Sequence, residues 1–145
     1  MKEIQNILVA VDFGETDDTL LEHALEMALK FSAKAWIIHI AMPDPYFVGY
    51  EAGPQYIRDI RAGDLRKEHR TLQAYADGFN GAGVEAESLL VQGPTVETIL
   101  EEAAKLKIDL FVMGVHKHGF MDRLFSGNNP STLAIKSGIP LLIVP

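Results

Sequence analysis

Asp109-Leu110-Phe111-Val112-Met113-Gly114 is a largely apolar run of strand length, and it empties into a polar loop that closes on Ser126-Gly127-Asn128-Asn129-Pro130. A run with little alternation belongs to a strand covered on both faces, as in a parallel sheet. A strand followed by a glycine-bearing loop and a capped helix can hold phosphate. The loop aims backbone N–H groups beyond the strand's carboxyl end, and the helix N-terminus adds roughly half a positive charge there. The guest that suits such a cradle is an anion.

Along the whole chain, strand-like and helix-like periods alternate in the order β-α-β-α-β-α-β-α-β, the pattern of a parallel sheet wrapped by crossover helices. Ile7-Leu8-Val9-Ala10-Val11 is a continuous apolar strand, and Leu20/Leu21, Ala24/Leu25 and Ala28/Leu29 recur at helical spacing, predicting a helix over Thr16 to Phe31. Ala35-Trp36-Ile37-Ile38-His39-Ile40 predicts a second strand, stopped by Pro43 and Pro45. Tyr46 to Pro54 has aromatics, glycines and a proline without period, and reads as an irregular loop suited to a lid. Ile57, Ile60, Leu65, Leu72, Ala76 and Phe79 form a helical stripe ended by Gly81 and Gly83. Val84 to Gln92 alternates as a third strand. A helix from Pro94 and Thr95 through Leu106, a strand over Ile108 to Gly114, a short helix over Pro130 to Ser137 and a last strand over Pro140 to Val144 complete the chain.

Composition narrows the partners. The 145 residues, 48% hydrophobic, suit one core, and a formal charge of −7 opposes general binding to nucleic acid or to an anionic membrane surface. The basic cluster Arg58 to Arg70 is interleaved with acids. Cysteine is absent, which removes disulfide and thiolate chemistry. Met1-Lys2-Glu3-Ile4-Gln5-Asn6 runs into a strand without the order of a signal peptide, and no apolar run reaches the ~18 residues of a membrane span, so the expected location is the cytoplasm.

In open sheets of this kind the ligand crevice lies beyond the carboxyl ends of the strands where their order reverses, here expected between strands one and four. Asp12 then faces the loop starting at Gly114. Its carboxylate either accepts from ribose hydroxyls or helps hold a metal between phosphates, or it caps the helix that follows Phe13-Gly14-Glu15-Thr16. His116-Lys117-His118 reads as a solvated basic loop, with anion contact as the functional alternative. His39, on a buried strand, reads as a hydrogen-bonded core histidine; His23 and His69 show no partners. Neither a Gly-x-Ser-x-Gly elbow nor a Gly-x4-Gly-Lys-Ser/Thr loop is present, and no catalytic residue and no protein-only metal site is expected.

Ile7-Leu8-Val9-Ala10-Val11-Asp12, Ile38-His39-Ile40, Gly93, Asp109 to Gly114 and the terminal Pro140-Leu141-Leu142-Ile143-Val144-Pro145 resemble the universal stress proteins over essentially the whole chain. The nucleotide-binding branch of that family carries Gly-x2-Gly-x9-Gly-Ser/Thr after strand four. Gly114 and Gly127 match its first and third glycines, Lys117 replaces the second, and Asn128 replaces the Ser/Thr. Lys117 loses glycine's backbone freedom but offers an ammonium, and the Asn128 amide can still donate to a phosphate oxygen. The resemblance places adenine and ribose contacts on Ala10, Asp12 and Ile40, and phosphate contacts on Met113, Gly114, Gly127, Asn128 and Asn129, with Lys117 beside them. The alternative for Ala10, Ile40 and Met113 is core filling, and for Gly114 and Gly127 turn chemistry.

The resemblance implies ATP, with Mg or Mn, as the ligand, or else a nucleotide-free interaction module; a slow ATP hydrolase is a third possibility. It further implies a homodimer paired through the last strand, whose edge position and apolar side chains favour a partner, against the alternative of an edge shielded by Pro140 and Pro145. The expected architecture is a single doubly wound α/β domain over residues 1–145, of adenine nucleotide alpha hydrolase-like type. Its five-stranded, mostly parallel sheet would run in the order 3-2-1-4-5, flanked by four helices.

Overall fold

Residues 3–41, 55–93, 95–114 and 131–145 are described by the computed structural model, with side chains for 3–41, 62–93, 96–114 and 131–145. The elements are β1 (Asn6–Ala10), α1 (Asp17–Phe31), β2 (Lys34–Ala41), α2 (Gln55–Gly81), β3 (Ala86–Gln92), α3 (Thr95–Leu106), β4 (Leu110–Gly114), α4 (Ser131–Ser137) and β5 (Leu141–Val144). The sheet runs β3-β2-β1-β4-β5, as expected. Every neighbouring pair is parallel, so "mostly parallel" becomes wholly parallel among the described strands.

The period of two along each strand splits the core into two layers. Ile7, Val9 and Val11 of the first strand segment face one side with Ile37 and Val112. There they pack against Leu20, Ala24 and Ala28 of α1 and Leu72, Ala76 and Phe79 of α2. Leu8, Ala10, Ile38, Ile40, Phe111 and Met113 face the other side, against Ile99 and Ala103 of α3 and Leu133 of α4. Both faces of β1 and β4 are therefore dry, which is why their sequences are nearly continuous apolar runs.

Three helices stop by the same device. The N–H groups of Ala33, Val84 and Ile108 reach back five residues to the carbonyls of Ala28, Phe79 and Ala103 at 2.9, 2.9 and 3.0 Å. This six-to-one bond needs a left-handed residue just before it. Gly83 serves at φ 94°, but Ser32 and Lys107 take the same role with side chains, at φ 53° and 56°. Placing the α3 stop at Lys107 moves the start of β4 to Leu110, two residues later than the apolar pattern predicts. Likewise β3 begins at Ala86 rather than Val84, because Val84 is occupied in closing α2. Asp109 pins the entry to β1: its Oδ2 accepts the N–H groups of Gln5 and Asn6 at 2.9 and 3.0 Å.

Candidate functional site at the carboxyl ends of β1 and β4

Strand order reverses between β1 and β4, where the register sets Ala10 opposite Met113 and, on the other side, opposite Ile38 of β2. Ile40 lies two residues further along β2. Ala10, Asp12, Ile40, Met113 and Gly114 are thus gathered at one end of the sheet. The side chains of Ala10, Ile40 and Met113 are buried in the layer under α3 and α4. All three are buried as whole residues, which is what the core-filling alternative requires. Among the described residues, a Cβ added at Gly114 would meet nothing closer than Thr16 Oγ1 at 3.6 Å, so their packing does not demand glycine there. Lys117, Gly127, Asn128 and Asn129, with His116, His118 and the Tyr46–Pro54 segment, lie outside the described residues.

The β1–α1 turn is built by two carboxylates. Asp12 Oδ1 accepts the Gly14 N–H at 3.0 Å, closing a turn in which Phe13 takes φ 64°, unusual for a residue with a side chain. Asp17, the first residue of α1, turns back over this turn: its Oδ2 accepts the Phe13 N–H at 2.9 Å and its Oδ1 the Asp12 N–H at 3.4 Å. Tyr75 of α2 donates its hydroxyl to Asp17 Oδ2 at 3.2 Å. The capping role therefore divides: Asp12 closes the turn, while Thr16 sits at the helix N-cap without a side-chain bond.

Asp17 is only 2% exposed. Burial, and next the negative charge of Asp12, raise its carboxyl above the ordinary range, opposed by the hydrogen bonds it receives. Burial, and next the Asp17 carboxylate, push the Tyr75 phenol from 10.0 up to about 12. A raised folded value means that the stability Tyr75 contributes is fully present below pH 10.0 and is lost as pH rises towards about 12. An alkaline titration followed by ultraviolet absorbance is expected to show Tyr75 ionising late, with unfolding beginning in that window. Tyr75→Phe should remove the late phase.

His39 is the core histidine expected: it is 7% exposed, and its Nδ1 donates to Val11 O at 2.8 Å. Its ring lies against Phe13, with centroids 4.4 Å apart. His23, without an evident partner in the sequence, approaches Thr19 O of its own helix with Nδ1 at 2.8 Å. Sequence reasoning missed Asp17 and Tyr75. Tyr75 falls one residue before Ala76 and three after Leu72, so extending the α2 stripe to i+3 spacing would have found it.

A profile described as the universal stress protein family matches residues 3–145. The chain belongs to the universal stress protein family. Universal stress protein A of Escherichia coli K12 is 28% identical over 144 residues, covering 97% of this chain and 94% of that protein. Among solved structures, a universal stress protein in complex with cAMP superposes with a TM-score of 0.69 at 24% identity, covering 99% of each chain. The universal stress protein from Archaeoglobus fulgidus in complex with dAMP gives 0.63 at 16% identity, covering 99% of this chain and 100% of that one. These structural likenesses show that the chain has the universal stress protein fold. Among the described residues, no helix of this family member is long and apolar enough to cross a membrane.

Proposed function

We propose that this universal stress protein is a cytoplasmic stress-response regulator that binds ATP or a related adenine nucleotide in the crevice between β1 and β4. The observation that carries the reading is the reversal of strand order, which brings Asp12 beside Gly114 at the carboxyl ends of adjacent strands. An adenine nucleotide fits this end chemically. The apolar strand ends at Ala10, Ile40 and Met113 suit a flat heterocycle, Asp12 suits ribose hydroxyls, and Gly114 adds no side chain at the mouth of the crevice. Lys117, Gly127, Asn128 and Asn129 would hold the phosphates, with a divalent ion between them when ATP is the ligand. The cAMP and dAMP complexes of other family members support this class of ligand.

Calorimetric titration of ATP with magnesium, and of AMP, into nucleotide-stripped protein tests it. Saturable micromolar binding is expected, weakened about tenfold by Asp12→Ala, the scale of one lost hydrogen bond to a charged group. Gly114→Ala adds only ordinary contacts with the described residues and is expected to fold, so a loss of affinity in the folded variant reports close approach of the ligand. Absence of binding at roughly millimolar ATP would sink the reading.

The second reading, a nucleotide-free dimeric interaction module, is favoured by Lys117 and Asn128 in place of the motif's glycine and hydroxyl. In both readings the homodimer joins through β5, the edge of the sheet, where Ile143 is 39% exposed. Sedimentation of the full chain and of Ile143→Lys tests the dimer, which is expected to dissociate in the variant.

A further inference from the structure

Behind the β1–α1 turn lies a second concavity. A cavity of about 450 Å³ opens beside α2, lined among the described residues by Phe13, Asp64, Lys67, Glu68, Thr71 and Tyr75. Its size falls within the range of small-molecule sites. The five residues from α2 are spaced 3, 4, 7 and 11 positions from Asp64, so they share one face of the helix. Phe13 and Tyr75 pack against the core layer under α1 and α2, whereas Ala10, Ile40 and Met113 belong to the opposite layer. Among the described residues, the cavity shares no lining residue with the proposed nucleotide crevice.

Its lining selects a ligand by charge and by shape. Two carboxylates, Asp64 and Glu68, stand against one ammonium, Lys67, and the negative charges of Asp17, Asp18 and Asp12 also bear on Tyr75. Such a field repels anions and draws cations. Two aromatic rings line it: Phe13 lies 6.4 Å from Tyr75, centroid to centroid, and is backed by His39 at 4.4 Å. Aromatic faces attract cations and bury apolar bodies. Glu68 adds a point of attachment, since its Oε2 is shielded from solvent and receives no hydrogen bond among the described residues. A shielded carboxylate oxygen without a donor is costly, and the soft terminal torsion of glutamate lets it turn towards an arriving N–H.

We propose that this cavity binds a small organic cation, its protonated amine against Glu68 and Asp64 and its apolar or aromatic body on Phe13 and Tyr75. The probe is phenethylammonium, titrated into the full chain and followed by backbone amide resonances, with 2-phenylethanol and phenylacetate as neutral and anionic counterparts of the same shape. The cation should saturate with shifts centred on Phe13, Thr71 and Tyr75, at least about tenfold more tightly than the alcohol, and phenylacetate should not bind. Glu68→Gln should weaken the cation about tenfold and leave the alcohol unchanged. Asp64 is exposed, so Asp64→Asn should fold regardless, and it is expected to weaken the cation about threefold. The proposal is overturned by non-saturating shifts, by shifts centred elsewhere, by equal affinity for the alcohol, or by unchanged cation affinity in the folded variants. No nucleotide enters the titration, so its outcome is independent of the reading of the crevice.

Discussion

Asp17→Ala is expected to lower the unfolding free energy by about 3 kcal/mol, measured by urea denaturation near neutral pH. Two effects compete at this carboxylate. Its burial and the nearby charge of Asp12 oppose ionisation, and alanine removes both penalties. Against that, three donors lose their acceptor: the Phe13 N–H, the Asp12 N–H and the Tyr75 hydroxyl. The Phe13 N–H belongs to a residue held at φ 64°, and that conformation is sustained by the bonds around it. Loss of hydrogen bonds to a charged acceptor costs about 1.5–3 kcal/mol each, which exceeds the relief. Asp17→Asn keeps one acceptor and sheds the charge, so its expected cost is smaller, about 1 kcal/mol. Amide exchange at Phe13 and Gly14 should quicken in the alanine variant. A neutral or stabilised Asp17→Ala would show that the penalty of the buried charge outweighs the clamp.

The pH dependence reports the penalty of ionisation rather than the clamp. The folded value of Asp17 is raised, so its stabilising contribution is complete below the ordinary 3.8 and diminishes as pH climbs through the raised value. Asp17→Ala is expected to lack that segment of the stability profile.

Gly93→Ala is the second substitution expected to cost about 3 kcal/mol. Gly93 links β3 to α3 at φ 152°, where a side chain is strained. A Cβ built there runs into Thr98 Oγ1, and Thr98 is 6% exposed in the first turns of α3, with little room to withdraw. The backbone would have to shift, and with it the seat of Ile99 in the layer holding Ile40 and Met113. Gly93→Ala with Thr98→Ala removes the collision and keeps the backbone strain, so it should recover about half the loss. If the single variant unfolds at the same urea concentration as the parent, the collision is relieved by a side-chain turn alone.

Much of the fold is legible because burial writes itself into periodicity. Ile7 to Val11 and Leu110 to Met113 are apolar at nearly every residue, as strands covered on both faces must be. The strand ends between which the crevice is proposed follow from the same runs, and with them the positions of Asp12 and Gly114. Element ends were less legible. Ser32 and Lys107 close helices in a conformation that ordinarily signals glycine, so nothing in their identity marks the stop. The clamp on the β1–α1 turn was hidden for a different reason. An aspartate in the first turn of a helix reads as a charge facing the helix dipole, whereas Asp17 is turned inward because Tyr75 meets it there.

The order of apolar and polar residues decided the alternation of strands and helices, the two-layer core and the end of the sheet at which a ligand would sit, because each follows from periods only a few residues long. Tertiary structure alone decided that Tyr75 reaches Asp17 across 58 positions, that Phe13 takes a left-handed conformation between them, and that α2 leaves a cavity behind that turn. Such pairings depend on how helices pack across the sheet, and a hydrogen bond between residues brought together only by packing leaves no periodic trace in the chain.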